Sequence, residues 1–179
     1  MASLFRPAVD LLAQYAEYHR DLRNIQTHRL GVPMIVFGIG VLLSVPSVEW
    51  LGLSWTPAWA LFALAAAWYL TRGHLGAGLA VTLMVGLIVA LAHWVPTAST
   101  AGWLAWGAGF FFAGSAIQLI GHYYEGRQPT LSEVPEGLLV GPMFVALELL
   151  SLAGLLRGLA AEIERRAGPT HLRDLAHPA

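Results

Sequence analysis

Apolar and polar positions change their rhythm along the chain. Between residues 7 and 23, Ala8, Leu11, Leu12, Tyr15, His19 and Leu22 recur at helical spacing, while Asp10, Gln14, Glu17 and Asp21 line the opposite face. This predicts an amphipathic helix able to lie in a membrane interface. Pro7 suits its first turn, and His19 falls on its apolar side. Asn24 or Thr27 is expected to cap the next helix.

From residue 31 onward the pattern turns into long apolar runs. The first covers 31–46 and is extended by Val48, Trp50, Leu51 and Trp55 if Pro46 only kinks or ends it. Others cover 57–71, 75–95 and 101–120, the last with Trp103 and Trp106 as interface anchors. A fifth, 138–156, contains Gly141, Pro142 and Glu148. A full crossing there would carry Arg157, Arg165, Arg166 and Arg173 to the opposite side. The preferred reading is therefore a re-entrant or bundle-buried segment broken near Pro142. The predicted fold is an all-α polytopic membrane bundle of four to five hydrophobic helices, preceded by the amphipathic helix. Residues 1–160 are read as one integral-membrane domain and 161–179 as a charged tail, with 171–179 frayed.

Composition supports a membrane setting. Of 179 residues, 56% are hydrophobic and 12% charged, against about 25% charged in a soluble domain. The net charge of −1, without a basic stripe, gives no case for nucleic acid. No cysteine is present, which excludes disulfide and thiolate chemistry. No cleavable signal peptide is expected, because charges are scattered through residues 1–30. Arg6, Arg20, Arg23 and Arg29 precede the first run, Arg72 separates the second and third, and Arg127 follows the fourth. The connections near 47–56 and 94–101 carry none. The positive-inside rule places the arginine-bearing side in the cytoplasm.

Two polar islands, Tyr15–Pro33 and Gly121–Leu131, then share that side. The first carries His19, Asn24 and His28; the second carries His122 and Glu125. His19 and His28 are nine residues apart, half a turn out of phase on a straight helix. They converge only if the chain bends between them, and Asn24–Thr27 is the expected bend. His122 and Glu125 share a helix face, with Pro129 ending that helix. Three histidines and a carboxylate could hold Fe(II), Zn(II) or Mn(II); two histidines and one carboxylate would favour non-haem Fe(II). Each histidine could instead be an interfacial hydrogen-bonder. Glu125 could pair with Arg127 or Arg20. Glu148, inside an apolar run, should face a partner or a polar cavity: either metal support or an arginine. Asn24 suits a cap or a partner for a ligating histidine. Glycines near 38–40, 73–78 and 107–114 suit close helix packing.

Y-A-E-Y-H-R-D-L-R-N-I-Q-T-H-R-L-G-V-P at 15–33, Q-L-I-G-H-Y-Y-E-G-R-Q-P-T-L at 118–131 and P-M-F-V-A-L-E-L-L at 142–150 resemble the blocks of the Mpo1-like family, also called DUF962. Pro129-Thr130-Leu131 stands where that family usually reads Pro-Ala-Leu. The resemblance implies an Fe(II)-dependent dioxygenase that uses O2 to shorten a 2-hydroxy fatty acid by one carbon. It maps the family's histidines to His19, His28 and His122, and its acidic positions to Glu125 and Glu148. Arg20, Arg29, Arg127 and Arg23 are then candidates for the substrate carboxylate. The expected location is a bacterial inner membrane, with the site at the cytoplasmic rim and the bilayer supplying substrate; a homo-oligomer is left open. The alternatives are a non-enzymatic scaffold or carrier, and another lipid-acting metalloenzyme such as a zinc hydrolase.

Overall fold

The apolar runs fold as helices. The computed structural model describes residues 6–45, 47–50, 52–95, 99–127 and 134–176. In it, α1 (Ala8–Glu17) is followed by α2 (Leu22–Ser44), a hairpin of β1 (Val48–Trp50) and β2 (Leu53–Trp55), then α3 (Pro57–Leu70), α4 (Leu75–Ala92), α5 (Thr100–Glu125), α6 (Val134–Leu152) and α7 (Arg157–Ala167). Three of these, α2, α4 and α5, are long and apolar enough to cross a membrane. Leucines such as Leu64, Leu83, Leu87 and Leu119 stand exposed on α3, α4 and α5, as lipid-facing residues do. This is an all-α, membrane-type bundle.

The amphipathic pattern is cut earlier than expected. Helix α1 buries Ala8, Leu11, Leu12 and Ala16 and stops at Glu17. The chain then turns through Tyr18–Asp21, so the bend between His19 and His28 precedes Asn24–Thr27. Asp21 is extended and caps α2, accepting the Arg23 N–H at 2.9 Å. It is fully buried rather than on a solvent face. Neither Asn24 nor Thr27 is the cap. Their side chains are used elsewhere: Thr27 Oγ1 donates to the Asn24 carbonyl, and the Asn24 amide reaches α5.

Val48 and Trp55 belong to the hairpin and do not extend α2. Its turn runs through Gly52, whose φ of +74° suits glycine. Pro46 and Leu51 lie outside the described residues. Thr56 and Pro57 start α3, and Thr56 also contacts His93 Nε2 at 2.9 Å, closing this end of the bundle.

Helices α2 and α5 run antiparallel along a glycine seam. A Cβ on Gly31 would lie 2.8 Å from the Gly114 carbonyl oxygen, and one on Gly38 would lie 2.6 Å from that of Gly107. At the last contact, a Cβ on Gly121 would collide with Thr27 Oγ1 and lie 2.5 Å from Asn24 Oδ1. The backbones meet where no side chain fits. This draws His28, three residues before Gly31, toward His122, the residue after Gly121.

Helix α5 runs past the apolar run that ends at 120 and stops ahead of Pro129, at Gly126, which is left-handed (φ +73°) and carries the C-cap. Pro129, Thr130 and Leu131 lie outside the described residues.

Helix α6 is not broken at Pro142; that proline sits inside continuous helix, as prolines in membrane-embedded helices can. The break comes later. Gly154 (φ +86°) and Leu156 (φ +53°) turn the chain by 119° into α7. Gly137 and Gly141 lie against Tyr15, and Leu156 lies against Gly76 at the start of α4. The fifth run thus begins and ends on the histidine end. Helix α7 then packs Leu159 and Ile163 inward, and Arg166 pairs with Asp10 of α1 at 2.8 Å.

The tail beyond α7 is held rather than frayed as far as residue 173. The Leu22 N–H donates to the His171 carbonyl, and the His171 N–H to the Arg20 carbonyl, both at 2.9 Å. The Arg173 N–H donates to Asp21 at 2.8 Å. Two of these bonds are backbone to backbone, and the buried Asp21 carboxylate takes the third. Residues 177–179 lie outside the described residues.

Candidate metal centre

Three imidazoles from three places in the chain meet at the end of the glycine seam. His19 comes from the α1–α2 turn, His28 from the second turn of α2, and His122 from the last turn of α5. All three are buried, with 4%, 1% and 8% exposure. One ring nitrogen of each lies within 4.8 Å of the others.

Ring orientation is fixed by the backbone. His19 Nδ1 lies 2.7 Å from the Tyr15 carbonyl oxygen, and His28 Nδ1 lies 2.9 Å from that of Asn24. A carbonyl only accepts, so each Nδ1 carries the proton and each Nε2 carries a lone pair. Those two Nε2 atoms face each other at 3.3 Å. Two lone pairs at that distance repel unless a proton or a cation lies between them. Metal–imidazole bonds of about 2.0–2.1 Å, at angles between square and tetrahedral, separate ligand nitrogens by roughly 2.9–3.4 Å. The His19–His28 spacing fits. Backbone support on the far ring nitrogens of His19 and His28 is what metal-binding histidines require.

The site favours the neutral form of His19. Burial lowers the affinity of His19 for a proton well below its ordinary value; His28 and His122 push the same way, and the Tyr15 carbonyl opposes them. A neutral ring is the form that ligates. Tyr15 stacks flat on His19, with centroids 4.0 Å apart and planes at 6°.

The carboxylates stand outside the triad. Among the described residues, the metal-competent group comprises the three histidines alone. Glu125 accepts the backbone N–H groups of Arg20 (3.0 Å) and Asp21 (2.9 Å), and the Asn24 amide (2.9 Å). It ties the end of α5 to the turn that bears His19. Glu148 pairs with Arg29 at 2.8 Å. Burial alone would raise the Asp21 pKa, but Arg23 and the backbone N–H groups of Arg173 and Arg23 hold it down to about 2.

An apolar cavity of about 570 Å³ opens on the triad. It runs from His19, His28 and His122 along α2 to Leu43, and reaches Ala58 and Val89 at the far end. From His28 to Leu43 is roughly 22 Å of helix, longer than the ~15 Å half-thickness of a bilayer core. Of the candidate arginines, Arg127 lines the cavity. Arg20 is instead turned to the carbonyls of Ala16, His19 and Gly168, and Arg29 to Glu148. Gln118, also on the wall, did not stand out in the sequence. Its spacing of four residues from His122 was the available signal.

A buried three-histidine centre at the mouth of an apolar cavity, inside a helical membrane bundle, defines a class: a membrane protein able to hold a metal beside a lipid-shaped space. The chain belongs to the Mpo1-like family, "2-hydroxy-palmitic acid dioxygenase Mpo1-like", whose model matches residues 5–152. Comparisons with curated proteins and with solved structures gave no match.

Proposed function

We propose that this protein is an Fe(II)-dependent dioxygenase that shortens 2-hydroxy fatty acids by one carbon at the cytoplasmic rim of the membrane. The observation that carries this reading is the pair of lone-pair-bearing Nε2 atoms 3.3 Å apart, facing a cavity of acyl-chain dimensions. The reaction balances as 2-hydroxy acid plus O2 giving the acid one carbon shorter, CO2 and water.

His19, His28 and His122 would hold the metal on one face, leaving its other positions open. Bound Fe(II) would supply the redox centre for O2. The other residues bind and orient. Arg127 pairs with the carboxylate of the substrate. The cavity wall takes the alkyl tail and keeps water from the reacting carbon. Glu125 and Asn24 fix the α1–α2 turn against α5, and Tyr15 holds the plane of His19. The ten arginines gather at the histidine end through α1, the α3–α4 turn, α7 and the tail, which supports a cytoplasmic site.

The test is turnover of 2-hydroxypalmitate under O2 by protein purified anaerobically and loaded with Fe(II). A C15 acid and CO2 are expected; iron-loaded protein that yields neither would overturn the proposal. The all-imidazole donor set favours one second reading, a zinc hydrolase of lipids. Product formation that stops without O2 excludes it.

A further inference from the structure

We propose that the side-chain amide of Gln118 binds the 2-hydroxyl group of the substrate and is the residue that distinguishes a 2-hydroxy acid from the plain acid. This rests on the oxygenase reading and names a residue for its specificity. Gln118 lies inside the apolar stretch of α5, four residues before His122 and on the same face. Both line the cavity. Its rise above His122 is roughly 6 Å along the helix, so it stands just inside the triad, at the depth where a head group gives way to its tail.

The amide lacks a hydrogen-bond partner among the described residues. Within a membrane span such a group is costly unless something satisfies it. It is also held in place: a Cβ on Gly31 would lie 3.0 Å from Gln118 Cγ, so α2 closes one side and the cavity is left as the open one. Most neighbouring polar groups have other employment, and the Tyr15 hydroxyl, which also lines the cavity, is the competitor that the Tyr15→Phe variant below separates from Gln118. Gln14 bonds Arg6, the histidines converge on one point, and Arg127 offers donors only, as a carboxylate requires. A secondary hydroxyl both donates and accepts. An amide, with one of each, is its complement.

The experiment is calorimetric binding of 2-hydroxypalmitate and palmitate to the metal-free full chain in detergent, where no metal can contribute to the preference. Wild type is expected to favour the hydroxy acid by about fivefold, the value of one net hydrogen bond. Gln118→Met should bind both acids equally, with palmitate affinity and iron uptake unchanged. Gln118→Asn, which keeps the polarity but not the reach, should lose the preference too and serves if the Met variant fails to fold. A preference that survives in either folded variant overturns the assignment, as does one abolished by Tyr15→Phe while Gln118→Met retains it. Wild type binding both acids equally overturns the assignment alone. Wild type binding neither removes the oxygenase reading as well.

Discussion

The Glu125 carboxylate accepts the side-chain amide of Asn24 at 2.9 Å, joining residues 101 positions apart. The same carboxylate takes two backbone N–H groups of the α1–α2 turn. It is the fastening between the segment that carries His19 and the helix that carries His122. Removing it leaves three donors unsatisfied in a buried place, at roughly 1–3 kcal/mol each. Glu125→Ala should lower the thermal midpoint markedly and release metal, while Glu125→Gln, which keeps one acceptor, should fall between. Thermal unfolding with metal analysis checks both.

The glycine seam predicts a graded series. Gly31→Val and Gly114→Val place methyl groups where backbone already lies, and each should cost about 1–3 kcal/mol or more with loss of bound metal. Gly109 has open space where a Cβ would go. Gly109→Ala should be neutral or gain up to ~1 kcal/mol from helix propensity. Unfolding midpoints in one detergent separate the two outcomes.

Asp21 anchors the tail. Asp21→Asn weakens the bonds from Arg23 and from the Arg173 N–H. Amide exchange at residues 171–173 should rise at least tenfold, while exchange in α4 stays unchanged. Protection in both regions alike would show that the tail is held by something else.

The arginines should separate by role. Arg127→Ala is expected to raise KM for the hydroxy acid about tenfold or more and leave iron content and stability near wild type. Arg29→Ala strands Glu148 in a partly buried site and should destabilise by about 1–3 kcal/mol. The double variant Arg29→Ala with Glu148→Ala should recover part of that loss. Steady-state kinetics beside thermal unfolding distinguishes the two patterns.

The helices at 57–70 and 75–92 were legible because a bilayer forces long apolar runs, and counting runs placed His19, His28 and His122 on one side. The hairpin was not legible. Val48 and Trp55 read the same way in a strand as in the end of a helix, and the glycine at 52 was the lone cue. The bend was misplaced because Asp21, Asn24 and Thr27 all suit a cap; burial and the tail selected Asp21. The role of Glu125 was hidden for a different reason. Its i, i+3 spacing from His122 suggests a shared ligand face, whereas its partners are two backbone N–H groups and the Asn24 amide about a hundred residues away, which no local pattern displays. The seam at Gly31, Gly38, Gly107, Gly114 and Gly121 was half seen. Its seven-residue spacing on both helices was present in the sequence and marks the face that brings the histidines together.

The most direct measurement is iron per chain in anaerobically purified wild type and in His19→Ala, His28→Ala and His122→Ala, each folded by thermal unfolding. One iron per chain in wild type, lost in all three variants, is expected. Wild type without iron after reconstitution, or variants that keep it in full, would contradict a shared three-histidine centre.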